Sequence, residues 1–504
     1  MSTLYEAYKP LRNFTREFAL LDSLIDLWQL FTHIEDGADL PSTYLQDRPS
    51  WPIVPLSDQI LKWELELLTR EVILNGGLTA RKSLSSWQTL SKAIKAIRDL
   101  DNEIYRTHIG PDNILHEIHR IAHRQLPWQA PINVDFVMRY YKIFNDSNVD
   151  VFVVASTGLT TDQIFRIGAA VAGSYRKRPR MVQQEYGVIG VDVALSRKFF
   201  ERMTINLADI KKQMAQKQAY DGRWIYTWNP LIATPLISID PLHPERILCP
   251  IPSHIMRRIT QGLYYDLYNR KGFDNAFGAS FELYIGELLR QVCRKPMTII
   301  RPAPYDGSKG RKHGLDWVLT DGMTSLAIEC KTKRLTLDSK FGSDFDALDR
   351  DLDVMASALT QCYKNISDAH EGQSHWDPGA TRVLPVVITL EDWFFISPVT
   401  RERLANQLLP KLKAAGVPPT VLDEMPFTVA SASEFEVATQ VFGKAGLTNV
   451  MNAKTQEPQR GWALLPFLIS EFNSEVASSH RHIFGNDFRS LHMSITNQIP
   501  NGSL

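Results

Sequence analysis

One stretch of eighteen residues constrains this chain more than any other: Gly314-Leu-Asp-Trp-Val-Leu-Thr-Asp-Gly-Met-Thr-Ser-Leu-Ala-Ile-Glu-Cys-Lys331. Two apolar, β-prone runs flank Asp321-Gly322, and an Asp-Gly pair in that setting is a strong hairpin signal. With Asp321 and Gly322 as the two turn residues, Thr320 faces Met323 and Asp316 faces Ala327. Side chains alternate along a strand, so Ala327, Glu329 and Lys331 share one face. Asp316 lies on that face too, diagonal to Glu329, at a Cα separation of about 7–8 Å. A charge in an otherwise apolar strand is costly unless it is paired or binds metal. Two readings are therefore open: an internal ion pair of Lys331 with Asp316 or Glu329, or a divalent-cation site. The second is preferred. Two carboxylates and the main-chain carbonyl of Cys330 are oxygen donors of the kind that Mg2+ takes. Lys331 then points at the same pocket, where an ammonium steadies developing negative charge and helps hold an attacking water. The ion would lower the pKa of that water and polarise a phosphate. Together these parts suffice for hydrolysis of a phosphodiester.

Around the hairpin, the pattern from Phe273 onward is that of an α/β domain. Helices are predicted at 281–293, 352–368, 400–415 and 432–443, and strands at 297–301, 315–319 and 326–331. The apolar run 383–390 reads as a central strand. Upstream, Trp87, Leu90, Ile94, Ile97, Leu100 and Ile104 recur at helical spacing, and residues 1 to about 130 read as mainly helical. Between the two, 151–155 reads as a short buried strand, 162–172 and 196–216 as helices, and 236–239 as strand-like. The expected organisation is a helical region at 1–130 and a mixed α/β accessory region for recognition or regulation at 131–255. A catalytic domain follows at 256–484, and a fraying tail at 485–504.

The Asp316…Glu329-Cys-Lys331 pattern resembles the PD-(D/E)xK nuclease superfamily, the restriction-endonuclease-like fold. The likeness spans roughly residues 273 to 445, in the order helix, strand, Asp strand, E-x-K strand, helix, strand. Leu315 stands where that pattern has proline. The resemblance implies a mixed α+β protein whose C-terminal half is an αβ sandwich with a central mixed sheet. It implies an Mg2+-dependent (or Mn2+-dependent) endonuclease in which Asp316, Glu329 and the Cys330 carbonyl hold the metal. In Phe281-Glu-Leu-Tyr-Ile-Gly-Glu-Leu-Leu289, which resembles the first core helix, Glu282 becomes a further metal ligand. In Leu359-Thr-Gln-Cys-Tyr-Lys364, which resembles the helix after the E-x-K strand, Gln361 and Lys364 become supporting residues. DNA is the substrate expected first and RNA, including tRNA, second. A nucleic-acid-binding protein without turnover on the same scaffold is the rival from another class. Standalone proteins of this kind are often bacterial antiviral-defence nucleases.

Formal net charge is zero, so a nucleic-acid partner must be met by local basic patches. Two are candidates: Arg176, Lys177, Arg178 and Arg180, and the glycine-rich loop with Lys309, Arg311, Lys312 and His313, preceded by Arg301. His116, His119 and His123 could suggest zinc, but position 120 is Arg where the H-E-x-x-H signature needs the second histidine after Glu117. Hydrogen-bonded histidines on a polar helix face are the preferred reading. The acids at 344, 346, 349, 351 and 353 read as a helix start rather than a calcium loop. Four cysteines without a C-x-x-C pair argue against a disulfide framework or cysteine zinc site. No signal peptide or membrane span is read, so a cytoplasmic protein is expected. A homo-oligomer or a regulatory partner is compatible with the sequence.

Overall fold

The computed structural model describes residues 3–46, 55–111, 113–307, 310–394, 398–479 and 482–496. Helices make up the N-terminal half. The four longest before residue 130 are α1 (Leu20–Asp36), α2 (Lys62–Asn75), α3 (Trp87–His108) and α4 (Ile114–Gln129). In α3 the expected stripe is the buried one: Leu90, Ile94, Ile97, Leu100 and Ile104 face inward. Ser86 caps its start by accepting from the Thr89 amide.

Three further helices follow, α5 (Val134–Phe144), α6 (Ser147–Thr157) and α7 (Thr161–Lys177). The strand expected at 151–155 is instead the middle of α6. Local capping overrides the β-branched run. Asp146 accepts from the Asn148 amide at one end, and Gly158 closes the other in the left-handed region at φ 72°. Only one face is covered: Val149 and Val153 are buried, while Val151 and Val154 are exposed. The single helix expected at 196–216 is two helices, Val193–Met203 and Leu207–Lys217. The break is strand β2 (Thr204–Asn206), which pairs in parallel with β3 (Leu236–Ser238). With β1 (Arg180–Val182) and β4 (Arg246–Leu248) these form a sheet of order β1-β4-β3-β2. Its alternating side chains serve two cores. Leu236 and Ile247 join the core that includes α5, α6 and α7, whereas Ile237 and Leu248 join the core of α1, α2 and α3.

The C-terminal half is built on helix α8 (Phe273–Val292) and a five-stranded mixed sheet. The strands are β5 (Thr298–Ile300), β8 (Trp317–Thr320), β9 (Thr324–Lys331), β10 (Arg382–Thr389) and β11 (Thr428–Ser431), in the order β11-β10-β9-β8-β5. A separate hairpin of β6 (Tyr305–Gly307) and β7 (Gly310–Lys312) precedes β8. β5, β8 and β9 run antiparallel in turn, and β9, β10 and β11 are parallel. One face, with Trp317, Leu319, Leu326, Ile328, Leu384 and Ile388, packs in the core shared with α8. The other carries Val318, Ala327 and Val387 and is covered by α9 (Asp346–His370) through Leu359, Cys362, Tyr363 and Ile366. After β11 comes α10 (Ala432–Ala445). The expected tail begins as a helix, α11 (Gly485–Thr496), because Phe488 and Leu491 pack against the main core and Asp487 pairs with Lys142 at 2.7 Å.

Candidate active site

The β8–β9 hairpin forms where it was expected, but its register differs. Thr320 pairs with Ser325, Val318 with Ala327 and Trp317 with Ile328, so the connection is four residues long rather than two. Side-chain hydrogen bonds select the longer loop. The Asp321 carboxylate accepts from the Met323 and Thr324 amides at 3.0 and 2.9 Å, and Thr320 Oγ1 accepts from the Gly322 amide at 3.1 Å. Gly322, at φ 89°, supplies the left-handed residue the loop needs. The same Asp321 carboxylate reaches Thr448, whose amide and hydroxyl both donate to it, and so fastens the hairpin to the helix Leu447–Lys454.

The shifted register ends at the Trp317–Ile328 pair, and Asp316 lies one residue ahead of β8, in a bend rather than within the strand expected from 315. Along β9 Glu329 and Lys331 share one face, and the charge of Asp316 acts on both. Asp316 Oδ2 accepts from the Cys330 amide at 2.7 Å, and the Asp316 amide donates to the Ile328 carbonyl at 3.2 Å. Lys331 Nζ donates to Glu329 Oε1 at 2.7 Å. Glu282 approaches from α8, on the other side of the sheet. Its main-chain carbonyl accepts from Trp317 Nε1 at 2.8 Å, which ties its turn of helix to the residue after Asp316. Gly286, one turn on, permits that contact: a Cβ there would run into the Trp317 ring.

The groups sense one another. Burial and then the charge of Asp316 push the Glu329 carboxyl up to about 7, against the pull of Lys331. Burial and then Asp316 likewise raise Glu282 to about 7, opposed by Arg301 and Lys331. Asp316 is raised chiefly by burial. Burial acts to lower Lys331, but the Glu329 carboxylate outweighs it, so the ammonium is held more firmly than usual. An ion pair between Lys331 and Glu329 does exist, yet it accounts for only two of these four groups. Three acids are crowded at one place, all of them with raised pKa values, a pattern more frequent at functional sites than in stabilising pairs.

The donors suit a hard divalent ion. Glu329 Oε2 is buried and has no hydrogen-bond partner. Asp316, Glu329 and Glu282 provide carboxylate oxygens, and the Cys330 carbonyl belongs to the same strand end. Among the described residues there is no preformed group of three or more Asp, Glu, His or Cys side chains that could hold a metal ion. Mg2+ does not require one, since it keeps several waters and takes one or two carboxylates together with substrate phosphate oxygens.

Other sequence candidates lie elsewhere. Lys364, on α9, pairs with Asp368 at 2.9 Å, and Lys312 binds the same carboxylate, to which the Tyr305 hydroxyl donates at 2.7 Å. These two cations serve a buried acid beside β6 and β7. Gln361 is exposed on α9, and Arg311 is exposed on β7. Lys309 falls outside the described residues. Arg176 pairs with Asp36 at 2.5 Å, and Lys177, Arg178 and Arg180 are exposed around the end of α7 and β1. The α4 histidines are buried. His119 Nε2 bonds the Ser339 carbonyl at 2.9 Å, and burial drives His116 down to about 4. The acids at 344–353 do open a helix, α9, though Asp351 is buried and pairs with Lys333 at 2.8 Å.

Arg301 stands out from the loop with which the sequence groups it. Its guanidinium lies 3.8 Å from Glu282 Oε2 and 5.2 Å from the centroid of the Trp317 ring. Trp317 and Gly286 were not legible as site supports. The signal that could have found them is the bulky residue after Asp316 paired with a glycine one helical turn after Glu282. Comparison with family models, curated proteins and solved structures finds no match to this chain.

Proposed function

We propose that the chain is a metal-dependent nuclease of the restriction-endonuclease-like class that hydrolyses phosphodiester bonds, with DNA the substrate to test first and RNA second. One observation carries the reading: Asp316, just ahead of β8, and Glu282, on α8, both act electrostatically on Glu329, which bonds Lys331 two residues further along β9 at 2.7 Å. The sheet supports it. An antiparallel Asp/E-x-K hairpin continues into a parallel strand, with helices on both faces.

Bound among Asp316, Glu329, Glu282 and the Cys330 carbonyl, Mg2+ or Mn2+ would supply an acidified water and polarise the scissile phosphate. The chain's own contribution is positioning and charge. Lys331 keeps its proton, is steadied by Glu329, and offers an ammonium to a phosphoryl oxygen or to the attacking water. Glu282 titrates near neutrality and is able to exchange a proton at its carboxyl during a cycle. Arg301, beside Glu282 and half exposed, is placed to meet a phosphate that neighbours the scissile one.

The test is incubation of the wild type, Lys331→Ala and Asp316→Ala with plasmid, single-stranded DNA and tRNA, each with Mg2+ and with EDTA. Cleavage by the wild type alone, and only with Mg2+, is expected. Equal cleavage by Lys331→Ala would overturn the reading.

A further inference from the structure

Two arginines that meet on one ring extend the charged surface beyond Glu282. The Trp317 ring lies along a face of α8. Its Nε1 donates to the Glu282 carbonyl at 2.8 Å, and its six-membered edge passes over Gly286, where a Cβ would collide with it. Arg290 comes next, its guanidinium carbon 5.0 Å from the ring centroid, and Arg301 approaches the same ring at 5.2 Å. Glu282, Gly286 and Arg290 follow one another at intervals of four, so they share one helix face. Trp317 itself is 1% exposed, whereas both arginines are exposed. A guanidinium held against an aromatic ring still has N–H donors to offer a further partner.

No acid consumes those donors. Arg301 has Glu282 at 3.8 Å, beyond hydrogen-bond distance. Glu287, one turn before Arg290, is where a partner for it would stand, but Lys142 binds that carboxylate at 2.7 Å. Just past the helix, Arg294 and Lys295 are exposed too and add to the positive charge, with Arg294 Nη1 fastened to the Arg290 and Cys293 carbonyls at 2.9 Å. The basic patches singled out in the sequence are partly spent by contrast: Asp36 takes Arg176, and Asp368 takes Lys312 and Lys364. A cation in the last turn of a helix also suits the helix dipole. That accounts for a charge at the end of α8, but not for a second arginine brought from the end of β5 onto the same ring. β5 is the last strand of the sheet and Thr298 at its start is exposed, so an extended ligand has an open edge to follow.

We propose that this face of α8 carries the phosphate backbone of a nucleic acid away from the ion site, with one phosphate on Arg301 and a later one on Arg290. The place of the ion site rests on the nuclease reading above. From Glu282 to Arg290 is about 12 Å along the helix axis, roughly three to four nucleotides of a strand at about 3.4 Å each. Contacts of this kind hold and orient the strand and carry no base preference.

The experiment titrates full-length protein with fluorescein-labelled single-stranded DNA, duplex DNA and RNA of one sequence. Anisotropy is read in EDTA and in Ca2+, from about 50 to about 200 mM salt. Saturable binding that weakens with salt is expected, and the tightest of the three names the form of substrate. Arg290→Gln and Arg301→Gln should each weaken it about 10-fold and lower the slope of log K against log salt by about 1. Arg290→Lys, which keeps the charge, should keep the slope, and Lys212→Gln, at an exposed lysine on the helix Leu207–Lys217, should change nothing. Where cleavage is measurable, Arg290→Gln should raise KM and leave kcat. The proposal is lost if the wild type binds none of the three, if both arginine variants keep the wild-type slope, or if Lys212→Gln weakens binding as much as they do. A protein that holds nucleic acid here and never cuts it would sustain the proposal and sink the nuclease reading. A Mg2+-dependent nuclease with unaltered affinity in both arginine variants would do the reverse.

Discussion

Lys331 and Asp316 are the residues on which activity should turn. Lys331→Ala removes an ammonium that touches one carboxylate and is replaceable by water, so the fold should survive while cleavage falls by about 10²–10³. Circular dichroism alongside plasmid nicking separates the two effects. The raised carboxyls also make a pH prediction. Glu329 and Glu282 each titrate near 7 in the folded chain against a usual 4.5. Between those values the folded state holds more protons than the unfolded one, so stability falls as pH rises through this window and the loss is complete above it. Without divalent ions the protein should therefore melt lower at pH 8 than at pH 5.5. Added Mg2+ should raise the melting temperature more at pH 8, and Glu329→Gln should remove most of that difference. A Mg2+ effect equal at both pH values would argue against an ion held by these acids.

At the scale of elements, the hairpin shows how far pattern reading reaches. Its two strands and the shared face of Glu329 and Lys331 follow from alternation, which is a property of the backbone. Its register does not, because three side-chain hydrogen bonds in the loop, together with the tie from Asp321 to Thr448, decide between a two-residue and a four-residue connection. Asp321→Ala should cost about 1–3 kcal/mol in a denaturant titration, since it leaves several amides unsatisfied at once. Gly286→Val should cost about 1–3 kcal/mol by forcing Trp317 from its seat. It should also lower activity out of proportion to stability, because Trp317 adjoins Asp316 in the chain. In α6 a β-branched run became helix for a related reason: caps at Asp146 and Gly158 and a one-sided demand for burial outweighed residue preference.

Across the whole molecule, packing joins what the linear order separates. The main core takes in α5, α6 and α7 as well as α8 and the five-stranded sheet. Arg139 of α5 makes a bidentate pair with Glu436 of α10 at 2.7 and 2.8 Å, and Tyr284 of α8 donates to the same carboxylate at 2.6 Å. All three are buried, so Arg139→Ala should cost about 3–5 kcal/mol by stranding the Glu436 charge, visible as a large drop in melting temperature. A chain cut to residues 256–496 loses α5, α6 and α7 and exposes the α8 face they cover. It should show no cooperative melt, and a sharp transition in such a fragment would contradict the shared core.

Taken alone, the chain's order of residues determined which side chains stand out as candidates for chemistry. Glu329 and Lys331 are charges set in an apolar strand and Asp316 is a charge at the start of another, and that mismatch is local. It also determined the helical N-terminal half and the central place of β10, since both follow from short-range periodicity. Only tertiary structure decided that Asp316 takes the Cys330 amide from outside β8, that Arg301 and Trp317 join Glu282, and that Lys312 and Lys364 are drawn away to Asp368. Each of these depends on groups far apart along the chain competing for the same partner. No spacing rule records which competitor wins when water is excluded and every buried charge must find a counterpart.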